Sequence, residues 1–347
     1  MNTKNGIIII NKPLDWTSHD VVAKLRGILK IKRIGHGGTL DPMATGVLPI
    51  FIGRATRAAE FSENAEKEYI AEISFGITTD TQDITGTVLS TCNAAAAITA
   101  EELQEVIPQF LYEQKQIPPM YSAVKIGGKK LYELARKGIE VERPARDIYI
   151  SEIELLELWH SERSEDFNLC ADERLEEPWV ASLPQEDSLS AVAYIHGNPY
   201  NINKFTLRVV CSKGTYIRTL CHDIGETLGC GAVMSRLERT RVGTFTLNKA
   251  FTLEEVQKAA INGDIGKIIM PIDTLFQNYP ALNLDETNTR KCKNGALCHV
   301  GEIKTGKYRA YSPEGEFLAF GEVESNKFKT IKSFFIPSES GVKGNYE

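Results

Sequence analysis

Apolar runs and helically spaced apolar residues divide the chain into predicted strands and helices. The β-branched run from Gly6 to Ile10 ends at Asn11-Lys12-Pro13, which predicts a buried strand that leads into a turn. A helix is predicted next, because Val21, Val22, Leu25, Ile28 and Leu29 recur at helical spacing. Thr17 and Asp20 have the spacing of a capping box at its start.

Further strands and helices are predicted from residue spacing, capping residues and turn residues. Tyr69–Phe75 alternates as a strand does, and Gly76–Gly86 has the composition of a polar, turn-rich connection. Thr99 and Glu102 form a second capping box, and the helix that they open is expected to end early at Pro108. Strand signals resume at Phe205–Cys211. A helix through Leu228 follows them and closes at Gly229.

The end of the chain has a different pattern. After Pro271 the sequence predicts short strands separated by turn residues, at His299–Ile303, Tyr308–Tyr311, Phe317–Val323 and Phe328–Ile331. This spacing is typical of a small C-terminal β domain.

Composition narrows the class of protein. The 347 residues are 42% hydrophobic and 25% charged, which suits a globular protein of about two domains. No apolar run approaches the ~18 residues of a membrane-spanning helix, and the N-terminus lacks the pattern of a secretion signal. Seven cysteines without a C-x-x-C pair are interpreted as reduced thiols and not as a zinc site. We therefore expect a cytoplasmic protein.

Charge is unevenly distributed. The net charge of −6 by itself argues weakly against a nucleic-acid partner. However, the stretch from His160 to Ser188 contains nine acidic residues and only two arginines. Met1–Glu60, in contrast, has a local net charge of +5. A polyanionic partner therefore remains open. The stretch from about His160 to Asn203 has no clear period, and we expect an inserted, loosely ordered surface excursion there.

The segment Gly35–Gly46 is the best candidate for a ligand-contacting loop. It carries His36, Asp41 and two threonines among glycines, although a Leu-Asp-Pro sequence is most often only a turn. It is neither a phosphate-binding loop that ends in Gly-Lys-Ser/Thr nor a dinucleotide fingerprint. Tyr216 and Arg218 would project to one side if Gly214–Leu220 were extended, but such a pair is equally typical of a solvated strand end.

Five motifs in order carry a resemblance to a known family. Its residues are Asn11-Lys12-Pro13 with Thr17-Ser18, the loop Arg33–Pro49, Lys67-Glu68-Tyr69, Pro118–Lys125 and Ser212–Leu220. Together they resemble the bacterial tRNA pseudouridine-55 synthases, the TruB family, over nearly the whole chain. Asp15 departs from the family pattern, because it stands where the family usually has glycine; aspartate tolerates a left-handed turn better than most residues.

The resemblance implies a fold. We expect an α+β catalytic domain with a mixed, largely antiparallel sheet and flanking helices over residues 1–275, followed by a PUA-like RNA-binding domain over 276–347. Residues 110–146 would form a thumb-like RNA-binding segment. The acidic insertion at about 160–203 has no counterpart in the family that we can place.

The resemblance also implies an activity: isomerisation of uridine-55 in the T-loop of tRNA to pseudouridine after the base is flipped out. Asp41 would be the catalytic carboxylate, attacking C1′ or C6 or abstracting a sugar proton. Arg218 would keep that carboxylate ionised, and Tyr69 would stack on the uracil and assist loss of the C5 proton.

Other residues receive supporting roles from the same resemblance. The substrate-binding set is His36 beside the flipped nucleotide, Tyr216 and Leu237 as pocket walls, Lys12, and the thumb cations Lys129, Lys130, Arg136 and Lys137. Within this set Lys12, with Pro13, is interpreted more readily as scaffold beneath the loop. The T-arm of tRNA is the expected partner of a monomer, without cofactor, metal, membrane or guide RNA.

Two other functions remain to be weighed. A noncatalytic RNA-binding protein with this fold predicts damage at Asp41 or Arg218, yet both are present. The guide-dependent relatives in archaeal and eukaryotic ribonucleoprotein particles share the Asp-containing loop. The thumb-like segment, expected only of the stand-alone enzyme, argues against that reading.

Overall fold

The computed structural model describes residues 5–156, 191–195 and 198–335. Packing divides the chain into unit one, Met1–Ala65 with Thr240–Glu347, and unit two, Glu66–Arg239. Residues on both sides of the domain boundary predicted at 275/276 thus pack in the same unit.

The described secondary structure can be given in chain order. The strands are β1 Gly6–Lys12, β2 Ile34–His36, β3 Ala44–Ile52, β4 Lys67–Phe75, β5 Ile77–Thr79, β6 Val88–Thr91, β7 Tyr112–Gln116, β8 Lys125–Ile126, β9 Lys129–Lys130, β10 Arg146–Leu156, β11 Ala191–Ile195, β12 Asn198–Cys211, β13 Ala232–Val242, β14 Phe245–Thr246, β15 Ala281–Asn283, β16 Cys298–His299, β17 Gly306–Tyr311, β18 Phe317–Glu324 and β19 Lys327–Ser333. The α-helices are α1 Ser18–Leu29, α2 Ala59–Glu63, α3 Ala100–Val106, α4 Leu131–Ala135, α5 Ile217–Thr227, α6 Leu253–Ile261, α7 Ile265–Ile268 and α8 Glu286–Lys293.

Strand β1 of unit one is buried on both faces. It pairs antiparallel with β3, to which β2 is also antiparallel. Ile8 and Ile10 pack in one apolar cluster with residues of α1 and α6, whereas Ile7 and Ile9 pack in another that contains Phe276 and Phe320. Because side chains alternate along a strand, the continuous isoleucine run covers both faces, as predicted.

Both predicted capping boxes are present. The Thr17 hydroxyl accepts from the main-chain N–H of Asp20, and the Asp20 carboxylate accepts from the N–H of Thr17. Thr99 and Glu102 make the same reciprocal pair at the start of α3. That helix ends at Val106 and continues as a 3-10 turn through Pro108, which confirms the predicted early end.

Unit two contains a second set of paired strands. Its order is β4, β12, β10 and β7, and all these neighbours are antiparallel; β13 borders β4 on the other side. Unit two and the N-terminal part of unit one therefore have the expected α+β class with largely antiparallel strands.

The C-terminal part of unit one has its own five-stranded sheet, in the order β15, β17, β18, β19 and β16. Its buried residues form a separate cluster that includes Leu318, Val323 and Phe328. The predicted small β domain is confirmed, with two differences. The strand expected at His299–Ile303 is only Cys298–His299, and the sequence analysis missed helix α8, whose polar residues carry little apolar period.

The acidic excursion is partly ordered, contrary to expectation. Residues 191–195 and 198–203 belong to β11 and β12, which pair antiparallel from Ala191↔Ile202 to Ile195↔Asn198. A loosely ordered excursion was wrong for this part, because the backbone hydrogen bonds of the β11 and β12 pair need no strong side-chain period. Residues 157–190 and 196–197 lie outside the described residues.

Two other expectations concern membrane-spanning helices and the state of the cysteines. In the part of the chain that the structure describes, no helix is long and apolar enough to cross a membrane. The six cysteines at described positions are all free thiols.

Candidate active site

The glycine-rich loop that precedes Asp41 is closely packed at its start. The N–H of Gly37 donates to the carbonyl of Pro49 at 2.9 Å, and the Ser62 hydroxyl donates to the carbonyl of Gly37 at 3.3 Å. A Cβ at position 37 would lie 2.6 Å from Cε2 of Phe51 and 2.6 Å from Oγ of Ser62. Only glycine therefore lets the loop approach β3 and α2 this closely.

The main chain on the N-terminal side of Asp41 is tied to helix α1. The N–H of Leu40 donates to Oγ of Ser18 at 2.9 Å, and the same hydroxyl donates to the carbonyl of Leu40 at 3.2 Å. Both residues are buried. The half-buried Asp41 itself closes a turn, because its carbonyl accepts from the N–H of Ala44 at 3.0 Å.

Lys12 fixes the main chain on the C-terminal side of Asp41. Its side chain is fully buried, and Nζ donates to the carbonyls of Pro13 at 2.8 Å, Trp16 at 2.6 Å and Pro42 at 3.0 Å. Three carbonyl dipoles take up the three ammonium hydrogens. The burial and these bonds favour the scaffold interpretation of Lys12, and its contact with substrate stays a prediction.

Asp15 supports the same point of the loop. Its φ of 62° is left-handed, and its N–H donates to the carbonyl of Pro42 at 2.9 Å. Aspartate tolerates this conformation better than most residues, so the departure from the family glycine is accommodated.

His36 lies at the end of β2, opposite Ile50 of β3. Its half-buried ring meets the ring of His19 edge to face, with centroids 5.2 Å apart and planes at 77°. The ring is thereby oriented by α1.

Arg218 is buried in the first turn of α5, with 5% of its surface exposed. Nη1 donates to the carbonyl of Thr81 at 3.0 Å and lies 3.4 Å from Oδ2 of Asp83, and Nη2 donates to the carbonyl of Tyr121 at 2.9 Å. Sequence reasoning named Asp41 as the carboxylate for this arginine. It missed Asp83, which pairs with Arg218 inside unit two.

Asp83 is itself held by its neighbours. Oδ1 accepts from the hydroxyl of Thr81 at 2.8 Å, and from the hydroxyl and the N–H of Thr85 at 2.6 and 3.1 Å. These bonds fix the orientation of the Asp83 carboxylate toward Arg218. The alternating threonines of the polar connection were the only sequence signal for this arrangement.

Tyr216 corrects one sequence interpretation. Helix α5 begins at Ile217 with Tyr216 as its N-cap, so residues 217–220 are helical and the argument from an extended chain does not apply. Gln116 fixes the Tyr216 main chain instead: Oε1 accepts from the N–H at 2.8 Å and Nε2 donates to the carbonyl at 3.0 Å.

Tyr69 on β4 and Leu237 on β13 are both buried, with 8% and 6% of their surfaces exposed. Sequence reasoning missed a third residue beside them. Arg239 is 1% exposed and hydrogen-bonds the Tyr69 side chain. Burial lowers the pKa of Arg239, and the bond to Tyr69 opposes that change. No short motif marks Arg239, because its surroundings come from the packing of two strands.

The thumb-like segment forms the expected hairpin and helix, β8 with β9 and then α4. Nζ of Lys130 donates to the hydroxyl of Tyr132 at 3.1 Å, and this bond raises the pKa of Lys130. The guanidinium of Arg136 lies 5.4 Å from the centroid of the same ring. Lys130 and Arg136 therefore lie beside one aromatic ring, and Lys129 and Lys137 are exposed on the same segment.

Comparison with known proteins identifies the family. The model of the TruB family pseudouridylate synthase N-terminal domain matches residues 26–171, and that of the tRNA pseudouridylate synthase B C-terminal domain matches 218–277. The tRNA pseudouridine synthase B of Syntrophomonas wolfei is 39% identical over 329 residues, which cover 94% of this chain and 96% of that protein. The chain belongs to the TruB family. The corresponding protein of Geobacillus thermodenitrificans is 42% identical over 91% of this chain and 93% of its own length.

Solved structures agree with this family fold. A chain in the crystal structure of a Cbf5-Nop10-Gar1 complex superimposes with a TM-score of 0.64 at 25% identity, covering 96% of this chain and 86% of that chain. A chain of an archaeal box H/ACA sRNP Nop10-Cbf5 complex gives a TM-score of 0.61 at 23% identity, covering 96% and 87%, and this likeness concerns the fold alone.

Proposed function

We propose that this TruB-family enzyme isomerises uridine-55 in the T-loop of tRNA without a guide RNA, with Asp41 as its catalytic carboxylate. The observation that carries the proposal is the fixing of the main chain on both sides of Asp41, by Ser18 at Leu40 and by Lys12 at Pro42. A catalytic group must be held in place to act at one atom of a substrate. Residues 40–42 meet that requirement although they lie in a loop.

The reaction needs no redox partner and no water. The bond between N1 of uracil and C1′ breaks, the base turns, C5 bonds to C1′, and the proton lost from C5 is balanced by one gained at nitrogen. Asp41 acts at the sugar or the base. The hydroxyl of Tyr69 assists removal of the C5 proton, and its ring stacks on the uracil.

Arg218 supplies the positive charge that acts with the Asp41 carboxylate in the reaction. Its own position is secured by Thr81, Asp83 and Tyr121, and a guanidinium so constrained loses little entropy when it acts. Tyr216 and Leu237 form walls for the base, and His36 stacks beside the flipped nucleotide.

The thumb and the C-terminal β domain extend the contact with RNA. Lys129, Lys130, Arg136 and Lys137 bind phosphates without reading sequence, whereas residues 276–347 reach toward the acceptor arm. The enzyme acts as a monomer on the T-arm of tRNA in the cytoplasm.

A direct assay tests this function. Purified protein is incubated with an unmodified tRNA transcript, without guide RNA, and pseudouridine is scored at each uridine of the T-loop. Modification at position 55 alone, lost in Asp41→Asn while tRNA binding persists, is the expected result. Binding without modification would identify a noncatalytic RNA-binding protein, and activity only with added guide RNA would identify the guide-dependent class.

A further inference from the structure

The thumb is attached to the start of α5 through its root, residues 116–121, which lead from the end of β7 toward the hairpin. Gln116 of the root holds the N–H and the carbonyl of Tyr216. At the other end of the root, the carbonyl of Tyr121 accepts from Nη2 of Arg218 at 2.9 Å. The root therefore contacts two of the residues assigned to the reaction.

Tyr121 is anchored by its side chain as well. Its hydroxyl donates to Oδ2 of Asp80 at 3.3 Å, and Oδ1 of Asp80 accepts from the N–H of Thr87 at 2.7 Å. Burial, and then the charge of Asp80, raise the pKa of Tyr121, so the hydroxyl remains a proton donor at neutral pH. The phenol thus helps to fix where the Tyr121 carbonyl lies.

From Tyr121 the hydrogen bonds continue into the thumb. The carbonyl of the next residue, Ser122, accepts from the N–H of Tyr132 at 3.1 Å, and that of Val124 accepts from Leu131 at 2.8 Å. Tyr132 is the ring beside which Lys130 and Arg136 lie. A displacement of these cations by bound phosphate is therefore passed to the peptide groups that follow Tyr121.

We propose that Tyr121 is a positioning residue that couples contact between the thumb and RNA to the orientation of the Arg218 guanidinium. The proposal rests on the roles proposed above for Arg218 and for the thumb. Nη1 is held by Thr81 and Asp83, which belong to the connection between β5 and β6, whereas Nη2 is held from the thumb root. A shift of the root changes the bond to Nη2 and lets the guanidinium turn.

The first test removes one hydroxyl. Tyr121→Phe is expected to lower the single-turnover rate on a tRNA transcript at saturating enzyme about 2- to 10-fold, the range of one hydrogen bond, with unchanged tRNA affinity. Asp80→Ala should have the same effect, and the double variant should be no slower than either. Tyr149→Phe, at an exposed tyrosine on β10, is the matched control and should keep the full rate.

The second test measures the coupling itself. Lys130→Ala with Arg136→Ala should lower the single-turnover rate at saturating enzyme in the wild-type background but cause no further loss in Tyr121→Phe. Multiplicative losses would overturn the coupling. So would a wild-type rate in Tyr121→Phe, provided that its thermal unfolding is unchanged.

The roles on which the inference rests fail in a different way. Full turnover by Arg218→Ala would refute the role of Arg218, and normal tRNA affinity of the Lys130 and Arg136 variant would refute the role of the thumb. If only the coupling fails, Arg218→Ala still loses turnover and the Lys130 and Arg136 variant still loses tRNA affinity. Only the rates measured with Tyr121→Phe then differ from expectation.

Discussion

The guanidinium of Arg218 and the carboxylate of Asp83 lie 3.4 Å apart, and their side chains are only 6% and 7% exposed. Two charges buried together are costly to separate, because removal of one takes from the other an ion-pair partner that water does not replace there. The pair thus links the stability of unit two to the position of a residue proposed to act in catalysis.

Asp83→Asn tests this link. The amide keeps the size of the side chain but removes the charge, so unit two should lose about 1–3 kcal/mol of unfolding free energy in urea. Turnover should fall by at least about tenfold, since Arg218 loses the charge that orients it. Asp147→Asn, at an exposed ion pair with Lys115, is the control and should change neither quantity. Unchanged turnover in Asp83→Asn would separate Asp83 from the reaction.

Arg218→Ala should lower turnover far more than tRNA affinity. The buried guanidinium is proposed to act on the reacting groups, whereas tRNA binding is proposed to rely on the thumb cations. Single-turnover rates and equilibrium binding to the same transcript measure the two effects. Equal losses in both would show that Arg218 is a binding residue.

Ser18→Ala should weaken the support of Asp41. The buried N–H of Leu40 then loses its acceptor, which costs about 1–3 kcal/mol of unfolding free energy and lets the loop move. We expect a lower kcat with little change in KM. Ser151→Ala removes a hydroxyl that donates to Val210 within β10 and β12, far along the chain from the loop, and serves as the control. A wild-type kcat in Ser18→Ala would mean that the other anchors suffice.

The buried thiols should resist alkylation. Burial raises the pKa of Cys211 and of Cys221 to about 12, so at pH 8 only about one thiol in 10⁴ is the reactive thiolate. Among the cysteines at described positions, iodoacetamide should therefore modify the half-buried Cys92 first, as measured by peptide mass spectrometry. The alkylation rate of Cys211 in the folded protein should rise about tenfold for each increase of one pH unit. Rapid labelling of Cys211 at pH 8 would show that the strand opens.

Deletion of Ser161–Ser190 should leave most of the activity. These residues lie in the acidic stretch that has no counterpart in the family motifs, and all of them lie outside the described part of the chain. The same T-loop assay, at equal protein concentration, measures the effect. Collapse of activity in a folded deletion variant would assign the stretch a direct role.

Local signals in the sequence determined several elements correctly. The capping boxes of α1 and α3 depend on residues three positions apart, so they can be predicted from neighbours in the chain. The isoleucine run of β1 likewise shows that both faces must be covered. The family motifs then added the candidate residues Asp41, Tyr69 and Arg218.

Tertiary structure decided the partners. Arg218 meets Asp83 across 135 positions and Tyr121 across 97, and Gln116 meets Tyr216 across 100. No local period encodes such separations, because they arise when strands and loops distant in sequence pack together. The burial of Lys12 and Arg239 was hidden for the same reason. A lysine or arginine is ordinarily expected at the surface, and only the packed protein supplies the hydrogen-bond partners that make a buried charge stable.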